Sequence, residues 1–340
     1  MFTPALSILK KELPNAQIDA LVMFKGVKEL YTNLVEIDNV HYHDMINASK
    51  FSTVKFILNI RNNYDCTINI YPSNRKEYNL VNFTLNAKKR IGIDYLHQNL
   101  RNLGFLNNAR VNETPENHCV EENVRLIEKI INKKITDIPN LNFPLHESDK
   151  NFAESFLLKK NISEDDFVIG VHAGCSLLKN HIKRRWAPEN FVKLSKLLIE
   201  KHKAKILLFG GPDENELKNF IKDKVASGNL LLVSTKNLSQ TAAIIKRTNL
   251  FITNDSGLMH IAAAMKRRIV PLIGPTNTNY IHPWKTDFRI ASLNLDCSPC
   301  FYYSPKPLSC DRTDTKFKCM TELSVEYVYK TIKEFIFTEK

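Results

Sequence analysis

Leu250-Phe251-Ile252-Thr253-Asn254-Asp255-Ser256-Gly257-Leu258-Met259-His260-Ile261-Ala262-Ala263-Ala264 changes character in its middle. The apolar opening reads as a buried strand that ends on Asn254-Asp255. Ser256-Gly257 breaks it, and a small-residue helix restarts with His260 in its first turns. A strand end, a glycine turn and a helix N-terminus in succession make an anion site. The first N–H groups of the helix lack intrahelical partners, and the helix dipole is positive there. Gly257 lets a phosphate approach the backbone, and His260 adds a donor or a positive charge. Asp255 faces whatever that phosphate carries. The pattern points to a nucleotide-sugar site.

Working outward, strand-like and helix-like segments alternate along the whole chain, which argues an α/β fold with parallel sheets. In the second half the strands are expected at 167–171, 204–209, 230–233, 250–253 and 269–273, with 288–291 as an edge. Helices are expected at 188–202, 212–225, 239–246, 256–265 and 325–337. Repeated strand–helix units make a Rossmann-like domain, which binds ligands at the carboxyl ends of its strands. The first half reads as helices at 4–12, 54–61, 77–86 and 121–131 and strands at 18–23, 40–43, 66–71 and 90–94. The linker between the domains is expected within the Pro- and Asn-containing stretch 135–165. The expected domains are 1–150, 151–320 with a cysteine-rich segment at 297–319, and a C-terminal helix in 321–340 that packs back on the first domain. The dinucleotide fingerprint G-x-G-x-x-G, the P-loop, G-x-S-x-G and H-E-x-x-H are all absent.

Composition narrows the classes. At 340 residues, with 43% hydrophobic and 25% charged residues, the chain suits two ordinary domains. No run approaches the ~18 apolar residues of a membrane span, and the N-terminus lacks a secretory pattern. Cytoplasmic residence is the expectation. The net charge of +12 suits an anionic partner or reflects a Lys- and Asn-rich background. The basic runs are not interleaved with aromatics, so nucleic acid is not the expected partner.

These residues resemble glycosyltransferase family 9, the lipopolysaccharide heptosyltransferases. Asp255-Ser256-Gly257 with His260 and Ala262-Ala263-Ala264 is similar to the signature D-S/T-G-x-x-H-x-A-A. Ile273-Gly274-Pro275-Thr276 is similar to the loop that follows it. Val171-His172-Ala173-Gly174-Cys175-Ser176 and then Arg184-Arg185-Trp186-Ala187-Pro188-Glu189 resemble the G-x-S and K-R-W-P-x-E-x-F segments. Phe209-Gly210-Gly211-Pro212-Asp213-Glu214 resembles a G-G-P-x-E/D turn, and His118-Cys119-Val120-Glu121 an H-x-V-E segment. The resemblance implies a GT-B architecture, two Rossmann-like domains facing across a cleft. It implies an inverting transfer that needs no metal, from a donor expected to be ADP-heptose to a lipopolysaccharide-core or other anionic glycolipid acceptor. That work would be done peripherally at the inner face of the inner membrane.

Within that reading Asp255 hydrogen-bonds donor-sugar hydroxyls, or else caps the following helix. Ser256, Gly257 and His260 meet the diphosphate. Lys183 and Arg184 neutralise the leaving group, whose charge grows as the glycosidic bond breaks, or else belong to a solvated basic loop. Ser176 bonds a phosphate oxygen, and Glu214 the ribose or only its own helix start. Gly211 and Thr276 complete the donor set. The attacking hydroxyl needs a base. The resemblance places it as an Asp after a first strand, and Phe2-Thr3-Pro4-Ala5-Leu6 matches the helix opening that follows. The first N-terminal strand and the base are therefore expected upstream of Met1, and this exact chain is expected to be impaired. Alternative readings are a family-9 transferase for another sugar or a protein acceptor, and a non-catalytic nucleotide-sugar-binding remnant. Cys297 and Cys300, with Cys310 and Cys319, have the spacing of a structural zinc or iron site; packed thiols and disulfides are the other readings.

Overall fold

The computed structural model describes residues 1–96, 98, 100–176, 178–301 and 307–337. They form two compact α/β units that divide between Pro144 and Leu145. The first runs α1 (Thr3–Glu12), β1 (Asp19–Val22), α2 (Lys25–Thr32), β2 (Asn39–Tyr42), α3 (Lys50–Asn59), β3 (Cys66–Ile68), α4 (Lys76–Thr84), β4 (Lys89–Asp94), β5 (Ala109–Asn112) and α5 (Cys119–Ile131). Pro4 occupies the first turn of α1, where its missing N–H costs nothing, and Lys10 and Lys11 sit in the last turn. α5 starts on a reciprocal cap: Val120 N donates to His118 Nδ1 at 3.1 Å, and His118 N to Glu121 Oε2 at 2.7 Å. α2 and β5 are not among the expected elements; they are short, eight and four residues, so each shows its period only briefly.

All strands of this unit pair in parallel, but in two sheets, β1-β2 and β3-β4-β5. Among the described residues, β1 and β3 each keep one unpaired edge. Side chains tie the sheets together instead. Ile18 and Ile68 both pack on the cluster of Ile8, Leu9, Val124 and Ile127 that joins α1 to α5. Tyr64 Oη donates to Asp19 Oδ2 at 2.9 Å.

The second unit runs α6 (Glu147–Lys159), β6 (Val168–His172), α7 (Pro188–His202), β7 (Lys205–Phe209), α8 (Asn215–Val225), β8 (Leu230–Leu232), α9 (Leu238–Ile245), β9 (Leu250–Asn254), α10 (Gly257–Ala264), β10 (Arg268–Leu272), α11 (Thr278–Ile281), α12 (Lys318–Thr321) and α13 (Val325–Ile332). Its five strands form one parallel sheet in the order β10-β9-β6-β7-β8. β6 and β9 are buried along their whole length, as strands covered on both faces must be. The order reverses between β6 and β9, which opens a crevice at their carboxyl ends.

Three expectations are corrected. The division between the units lies inside the stretch 135–165, but not at the expected 150/151. His146 N donates to Asp149 Oδ2 at 3.1 Å and starts α6, which packs on α9; the boundary therefore falls before α6. The C-terminal helix, expected on the first domain, packs on α7 of the second unit. Val325, Val328 and Ile332 enter that core, and Trp186 Nε1 donates to the Leu323 carbonyl at 2.6 Å. Residues 288–291 make two isolated bridges to β10 rather than an edge strand. Among the described residues no helix is long and apolar enough to cross a membrane.

Candidate active site

Three strand ends converge at the crevice: His172 closes β6, Phe209 closes β7 and Asn254 closes β9. Asn254 is fully buried and works as a clasp. Its Nδ2 donates to the Ala173 carbonyl at 2.7 Å, and its Oδ1 accepts from Trp186 N at 3.0 Å. Trp186 is itself fully buried. This anchor places the residues before it, so Arg184 and Arg185 reach into the crevice instead of into solvent.

Arg184 is buried, and its Nη1 donates to Asp255 Oδ2. Thr276 Oγ1 donates to the same oxygen at 2.8 Å. Among the described residues both bonds fall on Oδ2 and none on Oδ1. Ser256, not Asp255, is the N-cap residue of α10, so the capping alternative for Asp255 does not describe the fold. The Ser256 side chain makes no cap bond either. It meets His172 Nδ1 at 3.0 Å and Thr253 Oγ1 at 3.1 Å, so the first turn of α10 has no side-chain acceptor of its own. A Cβ added at Gly257 would find no atom within 4 Å. Protein packing therefore does not demand glycine there, and the open space admits a ligand to the backbone.

His172 is the residue that motif reading overlooked, although a polar side chain closing a buried strand was a signal. Besides Ser256 it meets Glu214 Oε2 through Nε2 at 3.1 Å. Glu214 also accepts from Gly211 N at 3.1 Å and from Arg185 Nη2 at 3.3 Å. Burial alone would raise the Glu214 carboxyl. The hydrogen bond and charge of His172, with the Gly211 N–H and Arg185, outweigh burial and hold it below its ordinary value. A Cβ at Gly174 would stand 1.6 Å from Glu214 Oε1, so any larger residue there would push this carboxylate out of place.

The Nε atoms of Arg184 and Arg185 are buried with no hydrogen-bond partner among the described residues. Orphaned donors on two buried cations suit an anionic ligand. Asp255, Ser256, Gly257, Arg184, Thr276, Glu214 and Gly211 thus share one crevice. His260 lies on α10, half-buried, one turn after Gly257. Lys183 does not join them: it is exposed, with Nζ 5.8 Å from the Phe317 ring. Ser176 sits exposed on the loop after β6.

Two of the late cysteines, Cys300 and Cys319, lie at the turn beside this crevice. Cys300 N donates to the Pro275 carbonyl at 3.0 Å. A Cβ at Gly274 would stand 2.9 Å from Cys319 Sγ. Phe317 N donates to Cys310 Sγ at 3.3 Å, and Arg312 Nη1 to Cys297 Sγ at 3.5 Å. Burial, then the other three thiols, pushes the Cys319 thiol up to about 11. All four cysteines are free, so disulfides are not formed. Among the described residues no three His, Cys, Asp or Glu side chains stand together as a metal-binding group.

With this geometry established, known proteins show clear likeness. The model of glycosyltransferase family 9 (heptosyltransferase) matches residues 53–308. Lipooligosaccharide heptosyltransferase 2 of Campylobacter jejuni is 33% identical over 175 residues, 49% of this chain and 51% of that protein. The chain thus spans about half the length of this curated relative. A family 9 glycosyl transferase from Veillonella parvula superposes with a TM-score of 0.78 at 19% identity, over 98% of this chain and 92% of that one. The E. coli ADP-heptose lps heptosyltransferase II superposes with a TM-score of 0.71 at 19% identity, over 98% and 93%. The fold class is that of the GT-B heptosyltransferase structures.

Proposed function

The chain belongs to glycosyltransferase family 9, and we propose that it transfers heptose, with inversion, from ADP-heptose to an anionic lipopolysaccharide- or lipooligosaccharide-core acceptor at a membrane surface. The observation that carries this reading is Asp255 at the switch point, held through Oδ2 by Arg184 and Thr276 with Oδ1 left over. Oδ1 takes a hydroxyl of the donor sugar. The N-terminus of α10, with Gly257 and His260, takes the diphosphate. Arg184 neutralises the charge that grows on the leaving ADP as the glycosidic bond breaks. Glu214, ionised at neutral pH, accepts from the ribose hydroxyls. The E. coli relative is named for ADP-heptose, and the net charge of +12 suits an acceptor rich in phosphate.

Thermal unfolding in the presence of ADP, UDP, GDP and CMP tests the donor. ADP at about 100 times its Kd should stabilise by about 2.7 kcal/mol, and the other nucleotides should shift the midpoint less. ADP-heptose with a heptose-deficient core acceptor should then give a glycoside of inverted configuration. No shift with any of the four nucleotides would remove the donor site from consideration.

We also infer that Cys297, Cys300, Cys310 and Cys319 take one structural zinc or iron ion. Cys300 and Cys319 at the Gly274–Pro275 turn, with Cys310 and Cys297 accepting N–H···S contacts from Phe317 and Arg312, are a donor set of the right chemistry. Closing on a metal would deprotonate them. It would also brace the turn that carries Thr276. Protein purified without chelator should hold about one metal ion per chain, and Cys300→Ser with Cys319→Ser should remove it. A metal-free protein with an unchanged melting temperature in that double variant would count against the site.

A further inference from the structure

α3 is apolar on two faces. Ile57 points inward and packs with Ile60 and Leu85. On the outside, Phe51 is 80% exposed, Val54 53% and Leu58 49%. Their spacing, i, i+3 and i+7, puts them on one stripe, and Lys55 shares it. A surface helix ordinarily keeps its outer face polar, whereas this one sets three large apolar side chains there beside its lysines. The surroundings extend the patch. Ile46, just before the helix, is 50% exposed. The neighbouring α4 packs on α3 and leaves Leu80 and Phe83 exposed, with Arg90 lying over the Phe83 ring.

The charges around the stripe are mainly basic. α3 carries no acidic residue, and Lys50, Lys55 and Arg61 are all exposed. The acidic groups nearby in sequence are Asp44, occupied by Asn47, Asp65, and Glu77, which is exposed on α4 one turn before Leu80. We propose that the outer face of α3 lies on an anionic membrane, with Phe51, Val54 and Leu58 at the boundary of headgroups and acyl chains and Lys50, Lys55 and Arg61 on lipid phosphates. Such a helix lies in the interface plane and does not cross it. Each basic residue at an anionic surface adds favourable energy, whereas a two-fold contact between copies would bring the same lysines against each other. This inference rests on the membrane-side reading above and names the surface that serves it.

Co-sedimentation of the full chain with vesicles of phosphatidylglycerol and phosphatidylcholine, against phosphatidylcholine alone, tests it. The expected result is binding to the anionic vesicles only, weakened by salt. Phe51→Glu with Leu58→Glu should lower partitioning by about tenfold or more, and Lys50→Gln with Lys55→Gln should abolish the lipid selectivity. Phe51→Trp should shift its emission to the blue on vesicles. All four positions are exposed, and an unchanged ADP-induced thermal shift reports that the variants remain folded. Vesicle binding that is indifferent to these substitutions overturns the proposal. So does a concentration-dependent dimer that the Glu variants dissolve, with no vesicle binding. Loss of transfer activity alone bears on the heptosyltransferase reading and leaves vesicle binding unaffected.

Discussion

Replacing Asp255 by leucine is expected to do two separable kinds of damage. The substitution leaves the Arg184 guanidinium buried without its carboxylate, a loss of about 3–5 kcal/mol for a buried pair broken on one side. On the proposed reading it also removes the acceptor for the donor sugar. A hydrogen bond to a charged group is worth about 1.5–3 kcal/mol, so kcat/KM should fall roughly 10- to 150-fold beyond any loss of folded protein. The double variant Asp255→Leu with Arg184→Leu separates the two. With both charges gone and apolar side chains in their place, most of the stability should return, because such pairs are often replaced at little cost. Transfer should not return, since both the sugar acceptor and the leaving-group cation are missing. Chemical denaturation and steady-state kinetics on the same preparations decide it. Recovery of activity together with stability would reduce the Asp255–Arg184 pair to a structural brace.

Gly174→Ala is the second change with a large expected effect. Its Cβ would occupy the place of Glu214 Oε1, so the carboxylate must leave the knot that joins His172, Gly211 and Arg185. Overpacking of this kind costs about 1–3 kcal/mol. Donor affinity should fall about 10- to 100-fold if Glu214 holds the ribose through a charged hydrogen bond, with a smaller change in kcat at saturating donor. Adding Glu214→Ala to Gly174→Ala makes room for the new methyl group and should restore the melting temperature without restoring affinity. In the parent chain, donor affinity should hold at neutral pH and weaken as the pH falls through the Glu214 carboxyl. That point lies below the ordinary carboxylate range, because the folded state favours the ionised form. Unchanged ADP binding by Gly174→Ala, measured by calorimetry, would exclude Glu214 from the site.

Much of the second unit was legible before any coordinates. The helix at 188–202 matches α7 end for end, and the strands at 204–209 and 250–253 match β7 and β9 within one residue. These segments carry a strong period and end on proline, glycine or a polar pair, signals that lie within the segment itself. The first unit was harder to read. α2 has only eight residues, so its stripe of Val27, Leu30 and Tyr31 is short, and only Tyr31 is buried in it. β5 alternates weakly, with a single buried residue, Val111.

The sequence by itself determined the kind of site: a strand, a glycine turn and a helix N-terminus are local, and 15 consecutive residues from Leu250 to Ala264 are enough to write them. The tertiary structure alone decided the partners. Arg184 stands 71 residues from the Asp255 it pairs with, Thr276 stands 21 away, and His172 reaches Ser256 across 84. The strand order sets those pairings by placing β9 beside β6, and strand order follows from how the whole core packs, not from the period of any one segment. The motif marked Asp255 as a ligand residue. Only the fold shows that one of its oxygens is already taken by Arg184 and Thr276.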